Sequence, residues 1–303
     1  MANFLDNLGF YAFKVFSFFL LLLPRSLRRS LFINLSKLAY LIAKKHRRII
    51  KQNLDFTFGD EMDEIQKTEI AKYCFKNLTL ALFQVIENQR LTSKDLSKML
   101  TFENDEHLKS LIEQKRPIVF IAAHFGNWEL GATGLASQVI ATNAVHKALN
   151  QKLFDNYLFH SREKFNMTMV EKNGAIKNLN KALTRGETVS LLIDQNVNPK
   201  ESVIVKFFNQ DITMTPATAF LARKHNAAII PLLIFTDDHK NFTIKFYDEI
   251  TVAQSDDKSK DILEASQKQS DWLEAQIRKD PKYWFWCHRR FKSTHPEIYN
   301  KDA

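Results

Sequence analysis

The sequence predicts an α/β protein with a mixed central sheet covered by helices on both faces. Three observations predict it: short β-rich runs along the second half of the chain, helical stretches between them, and strands that are almost continuously apolar. The elements follow in order. "FYAFKVFSFFLLLLP" opens the chain, and from Phe10 to Leu23 only Lys14 and Ser17 interrupt the apolar run. As a helix this run is about 21 Å long at ~1.5 Å per residue, short of a hydrocarbon core of about 30 Å. Counting back to Phe4 gives spanning length at the expense of Asp6, Asn7 and Lys14. Pro24 and the basic cluster Arg25, Arg28 and Arg29 follow the run, the reverse of a cleaved signal peptide. Residues 1–29 are therefore expected to form a membrane anchor with a basic flank, either spanning or lying at the interface, with the chain after residue 24 on the cytoplasmic side.

Residues 30–303 are expected to form the cytoplasmic domain. A basic amphipathic helix is predicted over residues 30–52, with Leu31, Leu35, Leu38, Leu41 and Ile42 near helical spacing. Residues 61–90 read as one long helix or two, with Ile65, Ile70, Phe75, Leu78, Leu82, Phe83 and Ile86 inward. Strands are predicted over 117–123, 188–194, 202–208, 227–235 and 242–248. Helices are predicted near 129–140, 151–165, 174–185 and 215–225, and a long one over roughly 257–279.

The net charge of +9 is a property of one segment. Residues 1–54 carry ten Lys/Arg against the single acid Asp6, and the remaining 33 basic and 33 acidic residues balance. The excess thus flanks the proposed anchor, which argues against nucleic acid as a partner. Two cysteines make no disulfide framework, and seven glycines include neither a dinucleotide fingerprint nor a P-loop.

The chemistry concentrates in "IVFIAAHFGNWELG", residues 118–131. A buried strand delivers His124 to its C-terminal end, where reactive groups collect in such sheets. The turn Phe125-Gly126-Asn127 then leads into a helix near Glu129. Folded back, Glu129 would take one ring N–H of His124 and leave the other nitrogen as a general base. No serine or cysteine nucleophile lies within the motif, so the hydroxyl to be deprotonated belongs to substrate. The spacing lacks the histidine pair of a zinc protease, and no metal or other cofactor is expected.

"HFGNWEL" resembles the H-x-x-x-x-D/E motif of the bacterial late lipid A acyltransferases, the lauroyl and myristoyl transferase family. "HSREKFN" with Arg162, "GETVSLLIDQN" with Asp194 and Gln195, "VIVKFFNQDITMTPATAFLARKHNAAIIP" and "YWFWCHRRFK" are similar to further family motifs, in order along nearly the whole chain. The resemblance implies a fold related to the glycerophosphate acyltransferases, at the cytoplasmic face of the inner membrane. It implies transfer of a fatty acyl chain from acyl carrier protein, or acyl-CoA, to a hydroxyl of a Kdo-bearing lipid A precursor. It makes His124 the base, Glu129 its orienting acid, and Arg162 or backbone N–H groups the oxyanion donors. The sequence departs from the family at "VHKALNQ", where His146 or Lys147 stands in place of an expected arginine, and at Asn209, where glycine often follows the Phe-Phe pair.

Candidate substrate contacts are Asn127, Asp194, Gln195, Arg289, Arg290 and Lys292. The last three alternate with Trp284, Trp286 and Phe291 and either grip lipid phosphates or decorate a half-buried strand. Asp194, at the C-terminal end of a buried strand, faces the same site if the sheet is parallel there, and otherwise caps a helix or pairs with an arginine. Cys287 is expected to be buried and inert. A thioesterase of the same architecture, acylation of another glycolipid, and a noncatalytic lipid-binding protein are the rival readings.

Overall fold

The computed structural model describes residues 2–300, with side chains from residue 6; residues 1 and 301–303, which end the two expected segments, lie outside it. Three helices lead, α1 (Ala2–Leu22), α2 (Arg25–Ile42) and α3 (Lys44–Phe58), followed by α4 (Glu64–Glu87) and the short α5 (Ser93–Ser97). The α/β body continues with β1 (Leu100–Glu103), α6 (Glu106–Glu113), β2 (Ile118–Ala122), α7 (Trp128–Gln138), β3 (Thr142–His146), α8 (Lys152–Glu163) and β4 (Met167–Glu171). Then come α9 (Ala175–Thr184), β5 (Thr188–Leu192), β6 (Val203–Phe207), β7 (Gln210–Met214), α10 (Ala217–His225), β8 (Ala228–Phe235), β9 (Phe242–Phe246) and α11 (Lys258–Lys279).

The predicted mixed sheet is present, in the order β1-β9-β8-β2-β5-β3-β4. β8, β2, β5, β3 and β4 pair in parallel, whereas β9 runs antiparallel to β8 and carries β1 with it. Each central strand is buried on both faces, which is why its apolar residues run on without alternation. Val119, Ile121, Val189 and Ile229 enter one core with α3, α9 and α10, while Ile118, Phe120, Ile230 and Ile244 enter the other with α6 and α7.

Several expectations are corrected. The run 202–208 forms a strand, but it pairs only with β7 in a separate hairpin. Its two-residue turn holds Phe208 and Asn209 at positive φ, and asparagine tolerates the conformation that glycine would otherwise supply. β1, β3, β4 and β7 were not predicted. The helix expected over 30–52 breaks at Ala43. Ile65 and Leu82, expected inward on α4, are exposed. The C-terminal aromatic segment forms no strand; one isolated bridge joins Phe125 to Trp284.

α2 packs along α4, and the buried Glu87 ties them together by pairing with Arg25 at 2.8 Å and Arg28 at 3.0 Å. Arg28 and Arg90 also donate to the carbonyl of Leu21, near the end of α1. Two of the three arginines of the basic flank thus pair with a buried carboxylate, and Arg29 donates to the carbonyl of His239. Leu31, Leu35, Leu38, Leu41 and Ile42 face outward, the last 70% exposed, and they continue an exposed apolar band on α1 that includes Tyr11, Val15, Phe18, Phe19 and Leu22. Among the described residues no helix is long and apolar enough to cross a membrane.

Gly126 fixes the turn after β2. Its φ is +56°, its N–H donates to the carbonyl of Tyr283 at 2.9 Å, and a Cβ there would collide with the backbone oxygen of Ile234. Gly126→Ala is expected to cost about 2 kcal/mol or more of stability, since positive φ and a backbone clash add. Denaturant unfolding reads this directly, and an unchanged midpoint would remove the close approach from the account.

Candidate active site

The register of the sheet builds the site. β2 and β5 are parallel neighbours with Ala122 opposite Leu192, and Ile193 N–H extends the ladder to the carbonyl of Ala122 at 3.0 Å. His124 and Asp194 each lie two residues beyond this pair, so they leave the sheet side by side. Asp194 Oδ1 lies 2.8 Å from His124 Nδ1. Its Oδ2 accepts from the backbone N–H of His124 and from Trp284 Nε1, both at 3.0 Å.

This arrangement sets the protonation states. Burial alone would neutralise both groups, yet the mutual attraction and hydrogen bonds outweigh it: Asp194 is held below the usual carboxylate range and His124 is raised above the ordinary imidazole value. Glu129 adds a smaller favourable charge to His124, and Arg162 opposes it. With Nδ1–H donated to Asp194, the lone pair of the neutral ring is on Nε2. Gln195 is exposed at the mouth of the site, and its amide Nε2 lies 3.3 Å from that atom. The rings of Trp128 and Phe285 flank the imidazole at 5.2 and 6.0 Å.

Glu129 does not hold the histidine. Its carboxylate is gripped by Arg162 through Nη2 at 2.6 Å and Nε at 3.1 Å, joining α7 to α8. A buried carboxylate whose two oxygens meet a guanidinium fork is satisfied there, while the imidazole already has Asp194. The motif spacing brings Glu129 near His124, but the neighbouring strand supplies the orienting acid. That role was missed for Asp194. Its signal was a strand-end position equivalent to that of His124, which becomes legible only once β5 is known to lie beside β2.

Other candidates also have structural partners. Asn127 is buried as the N-cap of α7, accepting from the N–H of Leu130 at 3.2 Å and donating to Gln84 at 3.4 Å. Arg290 is only 2% exposed and donates to the carbonyls of Gln195 and Thr213, at 3.1 and 2.7 Å; burial lowers its pKa to about 10. It therefore pins the loop after Asp194 and does not reach out to a phosphate. Arg289 lies over the ring of Tyr299, and Lys292 is exposed. His288, not predicted, accepts the N–H of Asn196 at 2.9 Å and is kept neutral by burial, its pKa near 4. His146 is buried against Asp155 at 2.8 Å, which removes it as a free acceptor contact. Cys287 is buried as expected, its Sγ 3.7 Å from that of Cys74, and their contact together with burial pushes its thiol pKa up.

An apolar cleft opens beside the histidine between α7, α8 and the sheet. It spans about 770 Å³, part of it open to solvent, with Trp128, Glu129 and Arg162 among its walls and Phe120, Leu135 and Met167 deeper in. Small residues leave the space: Gly131 and Ala132 on α7, Ala144 and Ser190 on the strands. At the start of α7 the N–H groups of Trp128 and Glu129 have no intrahelical acceptor.

Comparison with known proteins gives a consistent result. The family model described as bacterial lipid A biosynthesis acyltransferase matches residues 3–293. The chain is 26% identical to the lipid A biosynthesis lauroyltransferase of Escherichia coli K12 over 87% of its own length and 84% of that protein. It is 25% identical to the lipid A biosynthesis palmitoleoyltransferase of the same organism, over 82% and 80%. A lipid A biosynthesis acyltransferase of Haemophilus influenzae is 24% identical over 84% and 80%.

The Asp194 contact predicts the titration of His124. Because the partner favours the charged ring, the midpoint read by histidine NMR lies above the ordinary imidazole value, and the basic form accumulates as pH rises through it. Asp194→Asn removes the main charge that opposes burial and leaves only the smaller one of Glu129, so the midpoint falls from its wild-type position. An unshifted midpoint in that variant would show that Asp194 does not govern the ring.

Proposed function

The chain belongs to the bacterial lipid A biosynthesis acyltransferase family, and from that premise we propose a direct transfer of a fatty acyl group from acyl carrier protein thioester, or acyl-CoA, to a hydroxyl of a Kdo-bearing lipid A precursor. That the enzyme is an O-acyltransferase follows from the family; the donor, the catalytic roles and the membrane setting are the proposal. The observation that carries it is the contact between His124 Nδ1 and Asp194, which leaves Nε2 as a base beside Trp128, a wall of the apolar cleft.

In this reading the acceptor hydroxyl displaces the Gln195 amide from Nε2. The hydroxyl oxygen attacks the thioester carbon while Nε2 takes its proton, and Asp194 stabilises the imidazolium. The resulting oxyanion faces the free N–H groups at the start of α7 and the donors of Arg162 that Glu129 does not use. Collapse breaks the C–S bond, and the imidazolium returns its proton to the departing thiolate. Glu129 acts through Arg162, holding the guanidinium at the cleft. The acyl chain extends along α7 from Trp128 toward Leu135, about 10 Å at ~1.5 Å per residue, with Phe120 and Met167 bounding the deeper space. A thioester is already activated, so no nucleotide, metal or redox cofactor enters the scheme.

The membrane setting rests on the outward apolar band of α1 and α2 and the positive charge of residues 1–54. We place that band in the cytoplasmic leaflet of the inner membrane, with the site facing a lipid-borne acceptor.

The test is acyl transfer in detergent with purified protein, labelled acyl carrier protein thioester and the Kdo-bearing precursor. Wild type gives a product heavier by one acyl chain. His124→Ala loses at least a hundredfold in rate with its fold retained, as general-base catalysis contributes roughly 10²–10⁴. Near-normal turnover in that variant would refute the proposed role, and thioester loss independent of acceptor would favour a thioesterase.

A further inference from the structure

The imidazole of His124 keeps one free lone pair, and a side chain from the neighbouring strand end stands on it. Nδ1 is committed to Asp194 at 2.8 Å, and the rings of Trp128 and Phe285 flank the imidazole. The His124 side chain is still 16% exposed, so solvent reaches the ring. At Nε2 the neighbour is the amide Nε2 of Gln195, 3.3 Å away. The neutral ring offers one acceptor there, so the amide N–H donates to it.

Gln195 sits on a firmly held stretch of backbone. Asp194 before it is buried and meets three donors, one of them the Trp284 indole. The carbonyl of Gln195 accepts from Arg290 Nη1 at 3.1 Å, and the N–H of Asn196 donates to His288 Nε2 at 2.9 Å. The Asn196 side chain exchanges two hydrogen bonds with Ser293, at 2.9 and 3.0 Å, and the N–H of Val197 donates to Thr213 Oγ1 at 3.3 Å. Each residue from 194 to 197 is thus tied to the C-terminal segment or to β7. The Gln195 side chain is the contrast: it is exposed, and among the described residues its amide meets only His124. The movable part of this loop is therefore one carboxamide, whose rotation covers or frees the base.

We propose that Gln195 is a specificity-determining residue, its amide holding Nε2 so that a lipid hydroxyl is activated in preference to water. This role rests on the reading of the reaction given above. A hydroxyl loses its proton to Nε2 along the lone pair, and that lone pair accepts one hydrogen bond at a time. Water and acceptor must both displace the amide first. Water arrives with no other contact, so the cost of parting the amide from the ring falls wholly on its reaction. A side-chain hydrogen bond of this kind shifts such an equilibrium roughly two- to tenfold. The acceptor hydroxyl is carried in by the rest of a large lipid, and that positioning offsets the cost. The step held back is hydrolysis. In it the water oxygen attacks the thioester carbon while Nε2 takes a proton, the C–S bond breaks, and the imidazolium returns the proton to the thiolate, leaving a fatty acid and a free thiol.

The experiment follows labelled acyl carrier protein thioester on the full chain in neutral detergent, first without acceptor and then with the Kdo-bearing precursor. Wild type is compared with Gln195→Ala, Gln195→Met, His124→Ala and the double variant Gln195→Ala/His124→Ala. Methionine fills the space of glutamine without a donor, so it separates the hydrogen bond from bulk cover. Both single Gln195 variants are expected to release fatty acid at least threefold faster than wild type without acceptor, with unchanged unfolding midpoints, and the gain is expected to vanish in the double variant. With acceptor present, the ratio of fatty acid to acylated lipid rises in both. A residue that merely held the loop together would lower release when replaced, so a gain reports on the hold over the base. Release no faster than wild type in either variant overturns the proposal. A gain in Gln195→Ala but not in Gln195→Met assigns the effect to bulk and overturns the part given to the amide. A gain that survives loss of His124 overturns it as well, because the base is then not what Gln195 covers. Absence of transfer by wild type overturns the reaction, while release without acceptor still decides whether Gln195 guards the base.

Discussion

The contact between His124 and Asp194 depends on the pairing of β2 with β5, and much of the surrounding structure serves to hold it. Neither residue is adjacent to the other in sequence; a parallel register, two residues of overhang on each strand and Gly126 at positive φ bring them together. A carboxylate buried at this depth is costly unless its oxygens are satisfied. Here the ring N–H, the histidine backbone and the Trp284 indole satisfy them. The aromatic C-terminal segment therefore closes the site from behind. Trp284 reaches Asp194, Phe285 flanks the ring, and Arg290 and His288 fix the loop that follows Asp194.

Separating two acid pairs within one site divides the work. Asp194 belongs to the histidine and sets its tautomer, while Glu129 belongs to Arg162 and joins α7 to α8 at the cleft. Their charges still interact, since Glu129 favours the imidazolium and Arg162 disfavours it, so the ion pair leaves the ring biased mainly by Asp194. The same α7 carries Gly131 and Ala132, whose small size leaves room for the apolar cleft near the imidazole. The Glu129–Arg162 pair and the apolar cleft thus meet along a single helix.

The class of fold and the reactive strand end were legible because local pattern carries them: β2, β5 and β8 are near-continuous apolar runs, and α7 to α11 show helical periodicity with clear ends. β3 and β4 were not, since "TNAVH" and "MTMVE" mix polar and apolar residues and lie toward the sheet's edge. His124, Asp194 and Gln195 were all marked as site residues, but which acid meets the histidine depends on strand order, which local sequence does not encode. Arg290 and Asn127 were marked as substrate contacts because charge and amide groups invite that reading; burial and backbone acceptors give them structural partners instead. The outward face of α2 was anticipated as amphipathic, and the ion pairs that draw Arg25 and Arg28 inward to Glu87 were not.

The most direct test of the central claim is a double-mutant cycle on acyl transfer, comparing His124→Ala, Asp194→Asn and the two combined, with each fold verified by its unfolding midpoint. If Asp194 acts through the ring of His124, the combined variant is no slower than His124→Ala alone. If the two losses multiply, Asp194 acts on substrate independently and the pairing is not the basis of the chemistry.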